Sequence, residues 1–488
     1  MKISDRYVGV LLMAVILLVG LYSRLAYADR FTTADETRWL ANVRGFATKL
    51  SQGRLGSLVQ QPHPGITTQW FAAATTFSDD WAVRKIPLVL WQCVLVAAIA
   101  YVFAKLLGFW PGLFLAAVLA TSPLLVAHTR VYAMDSLLAL FCLLALGLLC
   151  LWDKTKSPWH LVLAAATTSA AILSKLPGAV LVPVGIVWIF ISFWGPFDAT
   201  RGKQIVKALF LYAIAGLLAA CLILPSFAIH PLNTIGDFTE FFRSDDYNEL
   251  HKASPYYYAS TIWFLASPLE WFLLAGGVYL MFSKKLLSPL RRRQMALLLL
   301  FSLLFILIMT FGAKKGDRYI LPAITVLNAG AAYIVVVFQQ GKFSDAKKMT
   351  GAFLLALLIW QAIDVVRLTP YTLAYVNPLA KPFLGERRTG WGEGLDLAAL
   401  YLNGKPGAPT LKVASTYPNE FQYRFRGEAV ALHKWEEASI DYAVVYRASL
   451  QRGPDSWEQD VINHLQGKQP EKIIYLNSIP YVWIYRLD

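Results

Sequence analysis

Eleven apolar runs constrain the fold of this chain more than any other feature. Most of them approach the ~20 residues that a helix needs to cross a hydrocarbon core of about 30 Å. Apolar residues make up 57% of the 488 positions and charged residues only 16%, whereas soluble domains average about 25% charged residues. The sequence therefore predicts an all-α polytopic membrane bundle of about eleven transmembrane helices. The predicted spans are 7–25, 82–104, 111–128, 132–152, 158–174, 177–195, 208–226, 257–282, 295–312, 318–338 and 349–368.

The net charge of +14 is concentrated in alternate loops. With the N-terminus in the cytoplasm, the loops on the cytoplasmic side carry sixteen Lys and Arg residues against four acidic residues. This asymmetry is the positive-inside pattern of membrane proteins. It accounts for the basic surplus and argues against nucleic acid as a partner, while membrane lipids are expected partners. The cytoplasmic loops are 1–6, 105–110, 153–157, 196–207, 283–294 and 339–348.

Three connections on the outer side are long enough to carry function: residues 26–81, residues 227–256 and everything after 369. We predict a transmembrane module, residues 1–369, followed by an extracytoplasmic domain, residues 370–488. The first outer loop, 26–81, is expected to be catalytic.

The C-terminal domain differs from the rest of the chain, because charges return and the apolar runs shorten. Residues 441–447 and 472–487 resemble strands, the second segment turning at Asn477-Ser478. Residues 395–402 and 457–465 carry helical spacing. A small mixed α/β domain follows from this pattern.

Several ionisable residues lie within the predicted spans or at their ends, where a charge is costly and usually functional. Asp135, Lys175 and Arg318 fall on the outer side, and Glu270 lies deep in the eighth span. A carboxylate and two cations on one face suit a pocket that holds an anionic headgroup and moves a proton. Other readings stay open: Lys175 and Arg318 could snorkel to the interface. Asp135 could cap its helix, and Glu270 could pair within the bundle or mark a helix break.

Asp35 and Glu36 follow the first span by about ten residues. A carboxylate held at the membrane surface can accept a proton from a hydroxyl, and basic residues from other spans can stabilise a departing phosphate. The alternative is that Asp35 caps a short surface helix that begins at Glu36.

At these residues the sequence resembles the membrane glycosyltransferases of the C-type fold, the protein O-mannosyltransferase-like superfamily. This group includes the lipid A aminoarabinose transferases and the Rgt-type lipopolysaccharide sugar transferases. The resemblance extends over roughly residues 5–340. The matching segments are Thr33-Ala34-Asp35-Glu36-Thr37-Arg38, Gln61-Pro62-His63-Pro64-Gly65, Arg130-Val131-Tyr132-Ala133-Met134-Asp135, Ser174-Lys175-Leu176-Pro177-Gly178 and Asp317-Arg318-Tyr319-Ile320-Leu321-Pro322.

The resemblance implies an inverting transferase that takes a sugar from a polyprenyl-phosphate carrier at the outer face. It implies Asp35 as the catalytic base, with Glu36 as a supporting acid and Asp135 as a second acidic site residue. The site and the C-terminal domain would then be extracytoplasmic, in a bacterial inner membrane.

The same resemblance implies that Lys175 and Arg318 bind the donor phosphate, with Arg130 and His63 as further candidates. The chain has His-Pro-Gly where many relatives have His-Pro-Pro, so the role of His63 is open. The segment Gly390-Trp391-Gly392-Glu393-Gly394 also occurs in some bacterial members, and its glycines fit a tight turn.

Two other functions remain open. A transporter or flippase of a lipid-linked sugar would use the same basic pocket, and Glu270 is the residue that favours it, although no inverted repeat is visible. A metal-dependent oligosaccharyltransferase-like enzyme would bind a divalent ion through Asp35, Glu36 and Asp135, so a divalent metal cofactor is an open question. The sugar is also open, and the acceptor could be a protein, a lipid or a glycan.

Overall fold

In the computed structural model the chain is described over residues 3–59, 64–195, 198–240, 254–312, 315–340, 345–385, 389–437, 439–450 and 458–487. A helical bundle comes first. Its α-helices are α1 (Ile3–Leu25), α2 (Glu36–Ser51), α3 (Ile66–Ala72), α4 (Trp81–Leu107), α5 (Phe109–Thr121), α6 (Pro123–Thr129), α7 (Asp135–Thr155), α8 (Pro158–Ser174), α9 (Leu181–Ser192), α10 (Ala199–Ile223), α11 (Pro225–Ile229), α12 (Pro231–Glu240), α13 (Tyr257–Leu265), α14 (Pro268–Phe282), α15 (Pro289–Phe311), α16 (Leu321–Leu327), α17 (Gly330–Gln339) and α18 (Asp345–Leu368).

The predicted spans recur as helices of the bundle. Within the described residues, seven helical segments are long and apolar enough to cross a membrane, and two bent helix pairs bring the number to nine. Two shorter apolar helices, Pro158–Ser174 and Leu176–Ser192, occupy the fifth and sixth predicted spans. The all-α membrane bundle is therefore confirmed.

The α7 helix forms the centre of the bundle. All of its apolar window is buried inside the protein, whereas only 22% of the corresponding window of α1 is buried. Helices α4, α8 and α16 pack against α7. Since α7 begins at Asp135 and α8 ends at Ser174, both mark the same end of the bundle, which we call the site end.

Glu270 lies where several helices break. The α13–α14 pair bends by 118° and the α5–α6 pair by 63°. Ser267 and Glu270 form a capping box at the start of α14. The Glu270 carboxylate also accepts hydrogen bonds from Ser122 Oγ at 2.7 Å and Asn328 Nδ2 at 2.8 Å. Glu270 therefore joins two helix breaks, as one of its sequence-based readings proposed.

The C-terminal domain contains a five-stranded mixed sheet, in the order β2-β1-β3-β5-β4. Strands β2, β1 and β3 are parallel, and β5 pairs antiparallel with β3 and β4. The predicted α/β character is confirmed. Its elements are α19 (Leu395–Asn403), β1 (Lys412–Ser415), α20 (Pro418–Gln422), β2 (Glu428–Ala431), β3 (Tyr442–Tyr446), α21 (Arg447–Leu450), α22 (Gln459–Leu465), β4 (Lys472–Leu476) and β5 (Ile479–Arg486).

The β4–β5 hairpin turns at Asn477 and Ser478, which have φ angles of 50° and 60°. Two consecutive positive φ angles match the right-handed twist of paired strands. The turn lies where the sequence predicted it.

Candidate active site

Four charged side chains meet at the site end, each next to a helix terminus. Asp135 is the first residue of α7, and Lys175 follows the last residue of α8. Arg318 lies in the 3-10 helix Asp317–Ile320 that leads into α16. Asp35 immediately precedes α2, in the first outer loop. Helices that end at the same level of the bundle thus gather residues that lie as much as 283 positions apart in the sequence.

These side chains form a continuous chain of ion pairs. Arg318 Nη2 lies 2.9 Å from Asp35 Oδ2, and Arg318 Nε lies 3.9 Å from Asp135 Oδ2. Lys175 Nζ lies 2.6 Å from Asp135 Oδ1. Two cations and two carboxylates therefore balance one another, which offsets the desolvation that buried charges suffer.

The chain of ion pairs runs from the interior to the surface. The side chains of Asp135 and Lys175 are 6% and 10% exposed, whereas the side chains of Arg318 and Asp35 are 22% and 36% exposed. A ligand from solvent or from the membrane surface would therefore meet Asp35 and Arg318 first, with Lys175 behind them.

Asp35 occupies the N-cap position of α2, but its side chain caps no backbone N–H group. The carboxylate contacts Arg318 instead. The alternative reading, that Asp35 serves as a helix cap, is therefore not what the structure shows.

Glu36 is fully buried and binds three groups. Its Oε2 accepts the Thr33 N–H at 2.7 Å, and its Oε1 accepts the Tyr132 N–H at 2.7 Å. Lys85 Nζ lies 2.9 Å from the same Oε1. Glu36 thus joins the loop that carries Asp35 to the segment that leads into α7, and it supports the site without facing solvent.

Glu36→Gln is expected to destabilise the protein by about 3–5 kcal/mol, because it leaves the Lys85 ammonium buried without a counter-charge. Adding Lys85→Met should restore much of the loss, since the uncompensated charge is then removed. Thermal unfolding in detergent measures both effects. The control is Lys348→Met, which removes an exposed ion pair with Asp345 and should change stability by at most about 1 kcal/mol. Equal effects of Glu36→Gln and Lys348→Met would contradict the account.

Arg130 has partners away from this chain of ion pairs. Its guanidinium donates to the carbonyl oxygens of Ser23 at 2.6 Å and Ala26 at 2.7 Å, at the end of α1. Arg130 is buried there and holds the exit of the first span. We therefore do not extend the phosphate-binding hypothesis to Arg130. His63 lies outside the described residues, so its predicted role stays a prediction.

Three residues of the site region were missed by sequence reasoning. Tyr319 lies beneath Lys175, with 4.4 Å between Nζ and the ring centroid. Trp391 covers Arg318, with 4.0 Å between Cζ and the ring centroid. Each aromatic face provides a cation–π contact. Tyr319 directly follows Arg318 in the sequence, and Trp391 belongs to the glycine-rich segment noted above.

Glu420, the third missed residue, comes from α20 of the C-terminal domain. Burial raises the pKa of its carboxyl group, and the negative charges of Glu36 and Asp35 raise it further. The C-terminal domain therefore places the Glu420 carboxyl group close enough to the first outer loop for the charges of Glu36 and Asp35 to act on it.

The three acids proposed as metal ligands each pair with a cation. Asp35 contacts Arg318, Glu36 contacts Lys85, and Asp135 contacts Lys175. In the part of the chain that the structure describes, no group of three or more His, Cys, Asp or Glu side chains is arranged to hold a metal ion. The metal requirement remains a question for a metal-omission assay.

Part of the chain matches a known protein family. Residues 62–228 match the family described as dolichyl-phosphate-mannose-protein mannosyltransferase. A search of curated protein sequences finds no match.

Several solved structures share the fold, and three of them show the range of the likeness. ArnT from Cupriavidus metallidurans, bound to undecaprenyl phosphate, has a TM-score of 0.53 at 15% identity, over 97% of this chain and 97% of that chain. The Archaeoglobus fulgidus oligosaccharyltransferase in its apo form has a TM-score of 0.53 at 11% identity, over 93% and 72%. The same enzyme tethered to an acceptor peptide has a TM-score of 0.50 at 11% identity, over 98% and 74%.

The fold and the family match confirm the resemblance identified from the sequence, that of an integral membrane protein with the C-type glycosyltransferase fold. The family that matches residues 62–228 is described by its use of a lipid-linked sugar, dolichyl-phosphate mannose.

Proposed function

We propose that the protein is an inverting glycosyltransferase that moves a sugar from a polyprenyl-phosphate donor to an acceptor hydroxyl group. The observation that carries the proposal is the half-buried Asp35 carboxylate, 2.9 Å from Arg318 and continuous with the buried Lys175–Asp135 pair. A proton acceptor thus lies beside cations suited to a phosphate.

Lys175 and Arg318 would bind the donor phosphate. Charge-assisted hydrogen bonds from Lys or Arg to phosphate are among the strongest in proteins. Asp35 contacts one edge of Arg318. A phosphate oxygen would take that place and leave Asp35 free to accept a proton. ArnT, which has a similar fold, has been solved bound to undecaprenyl phosphate, and this supports a lipid phosphate as a ligand of the present protein.

The proposed reaction transfers one proton, forms one bond and breaks one bond. Asp35 takes the proton of the acceptor hydroxyl, whose oxygen forms a bond to the anomeric carbon of the sugar. The bond between that carbon and the phosphate oxygen breaks, and its electron pair stays on the phosphate. Lys175 and Arg318 stabilise this charge, and attack opposite the leaving group inverts the anomeric configuration.

Asp135 has a different role in this scheme. Its carboxylate is buried, contacts Lys175 directly and lies 3.9 Å from Arg318 Nε, so it orients the two cations.

The contacts of Glu270 bear on the transporter alternative. Its position deep in the eighth predicted span was the feature that favoured a transporter. In the structure its carboxylate accepts hydrogen bonds from Ser122, Ser267 and Asn328 at two helix breaks. Within the described residues, these hydrogen bonds give Glu270 a structural role at the helix breaks.

We propose an extracytoplasmic location for the site end. Basic residues collect at the opposite end of the bundle, where Lys156 and Arg293 both contact the buried Asp153 near the end of α7. Positive charge favours the cytoplasmic side.

A reporter that is active only outside the cytoplasm is therefore expected to be active when fused after Asp488. The same reporter in the loop 283–294, which contains five Lys and Arg residues, should be inactive. Activity in the reverse pattern would place the site on the cytoplasmic side.

Native mass spectrometry of the purified protein tests the donor class. We expect a co-purifying polyprenyl phosphate or its glycosylated form, and the mass of the attached sugar would identify the donor. Binding of phospholipids alone, even after incubation with polyprenyl phosphate, would contradict the proposal.

A further inference from the structure

The segment Gly390–Gly394, which we call the glycine loop, is part of the C-terminal domain that reaches the site. The Trp391 indole lies on the Arg318 guanidinium, 4.0 Å from Cζ to the ring centroid. The Trp391 carbonyl oxygen accepts a hydrogen bond from the Ala34 N–H at 3.3 Å. One residue thus contacts both the outer cation and the backbone directly before Asp35.

The glycines allow this close approach. Gly392 has φ +119°, a conformation that side chains rarely adopt, and a Cβ atom there would lie 3.0 Å from the Thr32 carbonyl oxygen. The Gly392 N–H donates to Tyr446 Oη at 3.0 Å, and Tyr446 belongs to β3. The loop is therefore held between the C-terminal sheet and the first outer loop.

The contact with the Trp391 ring restricts the orientation in which Arg318 can donate hydrogen bonds. A guanidinium donates hydrogen bonds in its plane, and an aromatic ring can cover its face without using those donors. Arg318 Cζ lies 4.0 Å from the Trp391 ring centroid while Nη2 lies 2.9 Å from Asp35, so the ring contact leaves this donor available to a carboxylate or a phosphate oxygen.

We propose that Trp391 is a positioning residue, through which the C-terminal domain orients Arg318 for the donor phosphate and holds the backbone beside Asp35. The inference rests on the proposed function, because it takes Arg318 as a phosphate ligand. It makes the C-terminal domain a functional part of the site.

Binding of undecaprenyl phosphate to the full-length protein in detergent tests the proposal. Trp391→Leu should weaken binding by about fivefold to thirtyfold, the range of a partly desolvated cation–π contact. Trp391→Phe should stay within about threefold of wild type, because it retains an aromatic face. The matched control is Trp435→Leu, which removes a tryptophan of the same domain that packs on His464 and should leave binding unchanged.

A double-mutant cycle separates positioning from general damage. In an Arg318→Gln background, Trp391→Leu should weaken binding no further, whereas independent effects would multiply and overturn the proposal. If Trp391→Leu fails to fold, Gly392→Ala moves the loop with the indole intact and should weaken binding. Its control is Gly467→Ala, at φ +83° with nothing within 4 Å of the added Cβ.

Two failures are distinguishable. If wild-type protein does not bind undecaprenyl phosphate, the proposed function fails. If wild-type protein binds it, and Trp391→Leu or Gly392→Ala binds it equally well, the positioning role alone is wrong.

Discussion

Asp35→Asn is expected to lower the rate of sugar transfer by about 10²-fold or more, the usual scale for loss of a general base. Asn has nearly the size of Asp but cannot take the proton of the acceptor hydroxyl. Donor binding should stay equal or become tighter, because Arg318 no longer has a carboxylate 2.9 Å away that competes with the phosphate. Single-turnover transfer and equilibrium donor binding, measured on the same preparation, separate the two effects.

The matched control for Asp35→Asn is Asp79→Asn. Asp79 also belongs to the first outer loop and also contacts an arginine, Arg84, at 2.9 Å. It lies outside the chain of ion pairs, so transfer should remain close to wild type. Normal transfer by Asp35→Asn would move the base elsewhere, and Asp135, the other carboxylate of the chain of ion pairs, would be the next candidate to test.

Lys175→Gln and Arg318→Gln should each weaken donor binding by about tenfold or more. A charge-assisted hydrogen bond contributes roughly 1.5–3 kcal/mol, and about 1.4 kcal/mol corresponds to a factor of ten in affinity. Lys175→Gln also leaves the Asp135 carboxylate buried without its closest cation, so some loss of stability is expected alongside. Binding of the polyprenyl phosphate, at a temperature well below unfolding, measures the first effect.

Arg293→Gln controls for the loss of a buried ion pair. Arg293 Nη2 lies 2.6 Å from the buried Asp153, at the end of the bundle opposite the site. This variant should lose stability without losing donor affinity. If Lys175→Gln and Arg318→Gln bind the donor as tightly as Arg293→Gln does, the two cations only support the fold or the membrane interface.

The sequence was sufficient for the bundle, because each span carries its own hydrophobic signal. The same holds for Asp135, Lys175 and Arg318, since a charge beside an apolar run is conspicuous. Their mutual pairing could not be predicted, because it depends on which helices end at the same level of the bundle. Lys85 is also a charged residue within an apolar run, the second predicted span. In the structure it forms an ion pair with Glu36.

The C-terminal domain was less predictable. Strands β1 and β2 have four residues each, and their parallel pairing joins segments separated by a helix. Such short, non-local pairs leave little periodic pattern in the sequence. The glycine loop was visible as a motif, but its contact with Arg318 joins residues 73 positions apart and becomes evident only in the structure.

The central claim is sugar transfer from a polyprenyl phosphate, and turnover in proteoliposomes tests it most directly. The donor is a polyprenyl-phosphate sugar labelled on both the sugar and the lipid, with the sugar identified from the co-purifying lipid. We predict that each sugar that joins an acceptor releases one polyprenyl phosphate, and that Asp35→Asn lowers the rates of both products together by about 10²-fold or more. Movement of intact donor between the leaflets, without release of polyprenyl phosphate, would contradict the account and indicate a transporter.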